Sequence, residues 1–539
     1  MSPDPVVVVG SGVAALVAAL AAHDAGAEVV VLERSEHFGG TTAVSGGGLW
    51  MPRNHHMAEL GVADSREEAL AYCNRLTAGR TPPALIETFL DDGPAIVESL
   101  ERRTPLRFRP MTWPDYHPEM EGAKPAGRML EPELHARGPH TEKLRRAPIL
   151  GLPMTLQEST ADWRPTYFPE RFDGAEIKRR SEEGMAACGQ ALIGALLSAC
   201  ASRRITLRTS ARVESLEMDA GRVCGVAVEG AGVEVASAVV LATGGYEWNP
   251  ELTSRYLLTP PTHPHSPPTA EGDGLLMAME VGADLANMTE TWWYPAAVIP
   301  GEEYEGRPLA RFVGTERTAP HSIIVNRFGH RFVNEAANYN DMSKAFYHFD
   351  ANLYANRNLP CWVVFDQQYR DRYPVLTVRP GQPDPEWLVA AGSLDGLASR
   401  TGIDSGGLCD AVERWNQMVR EGRDRDFERG ESAYDRFHGD PSAPHPNLGT
   451  IERGPYYALE IHAGTVGTKG GPRIDERARI LHVRDRPIPG LFGAGNVVAS
   501  PAAGAYFGGG ASIGMAAVFG HLAGAGAAAF AKGAPARST

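Results

Sequence analysis

The feature that most constrains this sequence is a glycine-rich turn that directly follows four valines. Val6–Val9 has the continuous β-branched pattern of a strand buried on both faces. The segment Gly10-Ser11-Gly12-Val13-Ala14-Ala15 then leads into an apolar stretch that predicts a helix as far as about Gly26. A strand, a tight turn and a helix in this order predict a βαβ unit that binds a dinucleotide, within an α/β fold.

The positions within this unit have distinct physical roles. Gly10 permits the tight turn, Gly12 lets a pyrophosphate approach the backbone, and Ala15 keeps the helix close to the strand. The N-terminus of the helix attracts the phosphates. A second strand, Glu28–Leu32, ends at Glu33, about 20 residues after the turn, where an acid typically accepts a hydrogen bond from a ribose hydroxyl.

Further glycine clusters favour FAD over a nicotinamide cofactor. Residues 39–48 combine glycines with threonine and serine hydroxyls, and such a loop suits a larger cofactor that lies extended past the first turn. Two more glycine turns follow predicted strands, at residues 242–245 and 490–496. A second βαβ fingerprint is not evident, so a bound nicotinamide partner is not expected.

Composition narrows the class of function. A chain of 539 residues suggests two or three domains, and a net charge of −14 argues against nucleic acid or an anionic membrane surface as a partner. Six dispersed cysteines without a C-x-x-C pair indicate reduced thiols in the cytoplasm and no metal site. Ala511–Ala531 is long enough to span a bilayer. Its many Ala and Gly residues and His521 predict instead a helix buried inside the protein, so no integral membrane segment is expected.

The order of these motifs resembles the fumarate reductase/succinate dehydrogenase flavoprotein superfamily over nearly the whole chain. The resemblance is carried by GSGVAALVAAL, ERSEHFGGTTAVSGGG, LATGG, EGDGLLMAMEVGA, IIVNRFGHRFVNE, GTKGGPRID and GLFGAGN. It implies a Rossmann-like FAD-binding domain, split into residues 1–280 and 455–539, with an inserted α+β capping and catalytic domain at residues 281–454. The residues expected to contact FAD are Gly10, Gly12, Val13, Ala14, Glu33, Arg34, Gly40, Thr41, Thr42, Ser45, Gly46, Gly47, Val213, Ala242, Thr243, Gly244, Asp273, Gly495, Asn496 and Ile513.

Two tyrosines occupy positions where the dicarboxylate enzymes of this superfamily carry arginines. Tyr339 lies five residues after Asn334, and the segment Tyr506–Gly510 stands in place of an R-L-G-G-N sequence. A dicarboxylate requires fixed positive charge and bidentate donors, which arginine supplies and tyrosine cannot. A neutral ketone requires a hydroxyl donor to its oxygen and a weak base for a proton on carbon, and tyrosine can provide either.

The sequence is more specifically similar to the 3-ketosteroid Δ1-dehydrogenases. The shared features are the GGTT-AVSGGGLW loop, the DYHPE segment, NE-x-x-x-Y, GTKGG and the terminal Y-x-G-x-G. The resemblance implies that Tyr339 accepts the proton alpha to the carbonyl, with Tyr116 as its neighbour. It also implies that the Tyr506 hydroxyl and the Gly510 N–H donate to the ketone oxygen, and that the beta hydrogen leaves as hydride to the flavin.

Departures from the family pattern keep the substrate open. Phe507 stands where the family usually has Pro, and residues 130–172 do not align securely. The favoured substrate is a 3-ketosteroid, and the electron acceptor is expected to be an artificial or quinone-type compound. A Δ4-dehydrogenase, whose relatives carry Ser at the position of Gly508, and a dehydrogenase of smaller cyclic ketones such as cyclohexanones are alternatives. A flavin-binding subunit for electron transfer or assembly is a third, which the retained tyrosines and glycine disfavour.

We predict that the FAD is bound without a covalent link. In relatives with covalent FAD a His precedes the Thr of the glycine-rich loop, and the matching position here is Thr41. Denaturation by acid or heat should therefore release the yellow colour into the supernatant, where its absorbance can be measured. Colour that sediments with the denatured polypeptide would contradict this prediction.

Overall fold

A parallel sheet surrounds the first glycine turn. The computed structural model describes residues 4–145, 173–260 and 263–533. Val6–Val9 pairs in parallel with Val29–Leu32 on one side and with Ala238–Leu241 on the other, so the turn opens at the carboxyl edge of the sheet, where α/β folds bind ligands. The sheet has six strands in the order Arg479–His482, Arg486–Gly493, Ala238–Leu241, Val6–Val9, Val29–Leu32, Thr206–Arg208.

A second sheet of seven strands lies at the centre of the other large unit. Its strands are Arg307–Phe312, Thr291–Tyr304, Tyr456–Thr468, Cys361–Asp366 and Ser322–Asn326 in spatial order, with His263–Pro264 and Val389–Ala391 also paired to Tyr456–Thr468. Successive side chains of a strand point to opposite faces, so Val363 and Phe365 enter one apolar cluster while Trp362 and Val364 enter another. The sheet is therefore covered on both faces.

Smaller sheets and the helices complete the described part of the chain. The small sheets pair Gly232–Val235, Arg222–Val228 and Val213–Asp219; Leu49–Trp50, Met129–Pro132 and Phe108–Pro110; Leu285–Ala286 and Gly471–Pro472; Phe349–Asp350 and Ala355–Asn356; His135–Ala136 and Met185–Ala186. The α-helices are Val13–Asp24, Gly40–Ala43, Arg66–Thr77, Pro83–Arg103, Gly174–Glu182, Cys188–Ser202, Pro250–Tyr256, Asp273–Glu280, Thr315–Thr318, Tyr339–Lys344, Gln367–Arg372, Leu394–Thr401, Ser405–Glu421, Ala433–His438 and Ala511–Ala531. This architecture confirms the predicted α/β fold with a Rossmann-like domain.

The long apolar helix Ala511–Ala531 packs along the first helix of the nucleotide-binding unit. Gly520 and Gly524 lie against the backbone of Ala14 and Ala18, where a Cβ atom would approach the carbonyl oxygens to 2.5 and 2.0 Å. By length and composition this is the one described helix that could cross a membrane, and 61% of its most apolar window is buried in the protein. Its small residues are explained by this close helix contact.

The predicted domain boundary between residues 454 and 455 lies directly before a strand of the seven-stranded sheet. Tyr456–Thr468 pairs with Thr291–Tyr304 and with Cys361–Asp366, so it is an inner strand of the seven-stranded sheet. The chain adds strands to the six-stranded sheet again only at Arg479–His482. We therefore propose that the inserted unit extends to about Thr468. Of the poorly aligned segment 130–172, residues 146–172 lie outside the described residues.

Candidate active site

The first glycine turn has the geometry that a dinucleotide requires. Gly10 adopts a φ of 110°, and a Cβ atom there would lie 2.3 Å from the carbonyl oxygen of Ala242 on the neighbouring strand. Only glycine can occupy such a position without strain. The helix Val13–Asp24 begins three residues later, so its free N–H groups face the opening of the sheet.

Glu33 lies buried at the end of the second strand, beside this turn. Its carboxylate accepts a hydrogen bond of 2.5 Å from the Ser11 hydroxyl and one of 2.8 Å from the Ser35 N–H. Burial raises the pKa of the Glu33 carboxyl, although both hydrogen bonds oppose that shift. The side chain remains part of the cavity wall, where a ribose hydroxyl would reach it.

A single cavity of about 1090 Å³ extends from this turn to the junction with the seven-stranded sheet. All the residues predicted to contact FAD line it, and so do Tyr116, Tyr339, Tyr506 and Gly510. The four proposed catalytic residues come from three distant parts of the chain, and the fold brings them to one end of the same cavity. Their individual roles stay predictions.

The cavity wall offers polar groups that fit an extended dinucleotide such as FAD. Among the described residues, the Thr243 hydroxyl is buried without a hydrogen-bond partner and borders the cavity. A buried hydroxyl of this kind normally has a partner. Gly244 adopts a φ of 81° with no other atom within 4 Å of its Cβ position, which leaves open space beside the backbone. Both features leave room and hydrogen-bonding capacity for a bound cofactor.

Three tyrosines meet where the cavity reaches the second sheet. The Tyr116 hydroxyl donates a hydrogen bond of 3.0 Å to the Tyr339 hydroxyl. The ring centroid of Tyr506 lies 5.0 Å from that of Tyr116 and 5.7 Å from that of Tyr339, both in edge-to-face geometry. The three phenol groups therefore surround a common space. This arrangement suits a site that holds one small polar group of a ligand.

The protonation of these phenols is governed by their environment. Burial raises the pKa values of Tyr116 and Tyr339 well above the ordinary value for tyrosine. The neighbouring phenols add to this shift, except that the hydrogen bond from Tyr116 lowers the pKa of Tyr339. Burial also raises the pKa of Tyr506, opposed by hydrogen bonds with Tyr339, Ser512 and the Gly510 N–H. The three side chains are therefore neutral near pH 7. The Gly510 N–H lies beside the Tyr506 hydroxyl.

Gly510 is placed by the turn that precedes the long apolar helix. It is the residue before Ala511–Ala531, has a φ of 86°, and a Cβ atom there would lie 2.1 Å from the Gly48 carbonyl oxygen. Its own carbonyl accepts from the Trp50 N–H at 3.2 Å. The end of the glycine-rich loop of residues 39–48 and the N-terminus of the helix Ala511–Ala531 are therefore fixed to each other. The Gly510 N–H is directed at the tyrosine cluster.

An ion pair joins the segments that carry Tyr116 and Tyr339. The His117 Nε2 atom lies 2.8 Å from a carboxylate oxygen of Asp341, in the helix that begins at Tyr339. Burial would lower the pKa of His117, but the hydrogen bonds and charges of Asp341 and Glu119 outweigh it and raise that pKa to about 9. His117 is therefore cationic at neutral pH and holds the two tyrosine-bearing segments together.

Several cavity residues escaped the sequence analysis. Trp292 packs 4.6 Å from Tyr506, and Phe312 packs 5.3 Å from Tyr339. Tyr434 and Arg317 also line the cavity, although neither belongs to a motif with a recognisable spacing. Their positions depend on how the second sheet folds, so a single sequence offers no local signal for them. His462, which the sequence places shortly before the GTKGG motif, is not among the described residues that line the cavity.

Comparisons with known proteins agree with the geometry. The model of the FAD binding domain family matches residues 5–513. A 4-oxocyclohexanecarboxylate 2-dehydrogenase from Sinomonas cyclohexanicum is 40% identical over 536 residues, which cover 96% of this chain and 92% of that protein. A 3-oxosteroid 1-dehydrogenase from Mycolicibacterium smegmatis is 36% identical over 560 residues, which cover 96% of each chain.

A solved structure shows the same fold at full length. It is the 3-ketosteroid Δ1-dehydrogenase from Sterolibacterium denitrificans in complex with 1,4-androstadiene-3,17-dione, with a TM-score of 0.90 and 34% identity. The match covers 98% of this chain and 100% of that one. Together with the family match, these likenesses confirm FAD as the cofactor.

We expect Glu33→Ala to weaken FAD binding, because it removes the acceptor for a ribose hydroxyl and leaves Ser11 without its partner. Loss of one such hydrogen bond to a charged group is worth about 1.5–3 kcal/mol, so the dissociation constant should rise roughly tenfold or more. Equilibrium titration of apoprotein with FAD measures it. Glu36→Ala, at an exposed position three residues away, is the control and should bind FAD normally. Equal affinities of the two variants would contradict the assignment of Glu33.

Proposed function

Because this chain belongs to the FAD-binding family that includes the 3-ketosteroid Δ1-dehydrogenases, we propose that it removes the alpha and beta hydrogens next to a ring ketone, as a 3-oxosteroid 1-dehydrogenase. The observation that carries this proposal is the convergence of Tyr116, Tyr339 and Tyr506 at the end of the cofactor cavity. Neutral phenols suit a ketone, whereas a dicarboxylate would require arginines.

The polar groups of the site divide into donors and a base. The Tyr506 hydroxyl and the Gly510 N–H lie together, so both can donate to the ketone oxygen as negative charge develops there. Once the Tyr116–Tyr339 pair has lost one proton to solvent, the Tyr339 phenolate accepts the proton from the alpha carbon. Bound FAD supplies the two-electron acceptor that takes the beta hydrogen as hydride. Preorganised donors favour the transition state because the charge they stabilise is small in the bound ketone.

Tyr116 makes Tyr339 usable as a base. Burial favours the neutral phenol at both positions, so an isolated Tyr339 would bear negative charge only at considerable cost. The hydrogen bond of 3.0 Å from the Tyr116 hydroxyl stabilises the Tyr339 phenolate and allows the pair to share one negative charge. The proton taken from carbon then completes the neutral pair.

A second candidate substrate is a smaller cyclic ketone. The observation that favours it is the 40% identity to the 4-oxocyclohexanecarboxylate 2-dehydrogenase, a protein named for a single-ring ketone. The proposed chemistry would be the same, since the donors and the base act only at the carbonyl and its neighbouring carbons. The size of the ring system would then be decided by the apolar wall that Trp292 and Phe312 help to form.

The packing around Gly508 bears on the position of the new double bond. The Δ4-dehydrogenases resemble this chain but carry Ser at this position, and here a Cβ atom would lie 2.4–2.5 Å from the Trp50 indole. A serine therefore does not fit without movement of Trp50, which is 1% exposed and hydrogen-bonded to Asp115. This packing supports Δ1 rather than Δ4 dehydrogenation.

We further propose a cytoplasmic enzyme that passes electrons to a quinone-type or artificial acceptor, without an integral membrane segment. The free cysteines at all six positions support a reducing compartment. The packing of Gly520 and Gly524 against the first helix supports an internal role for the apolar helix Ala511–Ala531.

The substrate class can be tested by anaerobic bleaching of the flavin. We expect a 3-oxosteroid to reduce the bound FAD and fumarate not to reoxidise it at a useful rate, because residues 339 and 506 are tyrosines and not arginines. Cyclohexanone and 4-oxocyclohexanecarboxylate in the same assay test the second candidate. Turnover of fumarate at the rate of a ketone would overturn the proposal.

The roles of the tyrosines can be separated by hydrogen exchange. Tyr339→Phe should lower the rate of flavin reduction by about 10²–10⁴-fold, the usual value of a general base. Tyr506→Phe should lower it by about 10²–10³-fold, the usual value of one oxyanion donor. With reduced enzyme in deuterated water, Tyr339→Phe should abolish exchange at the alpha carbon, whereas Tyr506→Phe should only slow it.

The FAD content of both variants is the control, since a phenylalanine keeps the packing of each ring. Exchange by Tyr339→Phe at the wild-type rate would show that Tyr339 is not the base. The role would then fall to Tyr116, which hydrogen-bonds to it.

A further inference from the structure

A buried arginine lies in the cavity wall behind the tyrosine cluster. Arg317 belongs to the short helix Thr315–Thr318, is 2% exposed and lines the same cavity as the tyrosines. The proposed reaction assigns no role to Arg317. A guanidinium keeps its charge in proteins, so a buried one needs a physical explanation.

Arg317 fixes the backbone that leads to Tyr339. Its guanidinium donates to the carbonyl oxygens of Val313 at 3.1 Å, Glu335 at 2.5 Å and Ala337 at 2.8 Å. The last two residues precede the helix Tyr339–Lys344, whose first residue is Tyr339 itself. Hydrogen bonds from this one side chain therefore hold the turn that leads to the proposed base.

The same guanidinium reaches a fourth tyrosine of the cavity. The Arg317 guanidinium acts on the phenol of Tyr434, which is 2% exposed, and opposes the rise that burial causes in the pKa of that phenol. The Tyr434 ring lies 5.2 Å from that of Tyr116 in edge-to-face geometry. Tyr116 in turn donates to Tyr339, so contacts run from Arg317 through Tyr434 and Tyr116 to the base.

The positive charge of Arg317 is not neutralised by a direct ion pair. Within residues 4–145, 173–260 and 263–533, no carboxylate oxygen lies within 4.0 Å of its guanidinium nitrogens, whereas the buried Arg331 and Arg429 both pair with Glu335. Burial lowers the pKa of Arg317, and the nearby phenols and Asp435 oppose the shift. The charge of Arg317 therefore acts on the phenols of Tyr339 and Tyr434, and the charge of Asp435 acts in the opposite direction.

We propose that Arg317 is a positioning residue of the reaction, which holds the turn before Tyr339 and, with Tyr434, places positive charge behind the tyrosines that must bear negative charge. This inference rests on the proposed function. A neutral ketone needs no cation for binding. The negative charge of the Tyr116–Tyr339 pair, in contrast, is stabilised by a nearby cation. The charge therefore favours the anionic pair without contacting the substrate.

The test compares Arg317→Met, which removes the charge at similar volume, with Arg317→Lys, which keeps it. Tyr434→Phe removes only the connecting hydroxyl and keeps the ring, so it remains informative if Arg317→Met fails to fold. Arg420→Met, at an exposed ion pair with Glu452, is the control. FAD content and thermal midpoint establish folding, and anaerobic flavin reduction by cyclohexanone, 4-oxocyclohexanecarboxylate and a 3-oxosteroid is measured against pH.

For Arg317→Met we expect flavin reduction to fall by about 10–100-fold with ketone affinity within about threefold. Loss of a nearby cation raises the pKa of a phenol, so the rise of the rate with pH should move upward by about one unit. Arg317→Lys should restore most of this shift, and Tyr434→Phe should shift the profile in the same direction by less. Glu316, Asp435 and His438, which also lie near these groups, are unchanged in all variants.

Two outcomes would overturn the inference. An unshifted pH profile in both Arg317→Met and Tyr434→Phe would show that the charge does not act on the base. A loss of affinity confined to 4-oxocyclohexanecarboxylate would identify Arg317 as an anchor for a substrate carboxylate instead. If the wild-type enzyme reduces its flavin with none of the ketones, the proposed function itself fails, which is a different result from either.

Discussion

The hydrogen bond between the phenols of Tyr116 and Tyr339 is the contact on which the site depends. The two residues are separated by 223 positions in the chain, and each belongs to a different unit of the fold. Tyr116 follows Asp115, whose carboxylate accepts a hydrogen bond from the Trp50 indole. Tyr339 begins a helix beside the seven-stranded sheet. Under the proposed mechanism the base forms only where these units meet, which places the reaction at their junction at the end of the cofactor cavity.

Much of the surrounding structure serves to hold that junction. The His117–Asp341 ion pair joins the two tyrosine-bearing segments, and the Lys469 Nζ atom donates to the carbonyl oxygen of Ala505, directly before Tyr506. Lys469 also lies 4.1 Å above the Trp292 ring, which packs against Tyr506. Charged groups are thus placed behind an inner layer of neutral aromatic side chains. That arrangement is consistent with a substrate that enters uncharged and becomes enolate-like during the reaction.

The same arrangement explains how one superfamily can serve different substrates. Arginines in the inner layer would bind a substrate that is already anionic. Here tyrosines occupy those positions, and the cation Arg317 lies behind them, where its charge lowers the pKa of the Tyr434 phenol. Positive charge one layer away can support an anion that forms during turnover while leaving the pocket suited to a neutral ring.

The sequence by itself determined the cofactor fold and the class of chemistry. Val6–Val9 with Gly10 and Gly12 could be recognised because strand, turn and helix are local and their residue types follow directly from backbone sterics. The exchange of arginine for tyrosine at residues 339 and 506 could be recognised because it falls inside motifs. Only the tertiary structure decided that Tyr434 and Arg317 join the site, and that Tyr456–Thr468 belongs to the second sheet. These depend on long-range pairing and on burial of charge, which leave no periodic or local pattern in a single sequence.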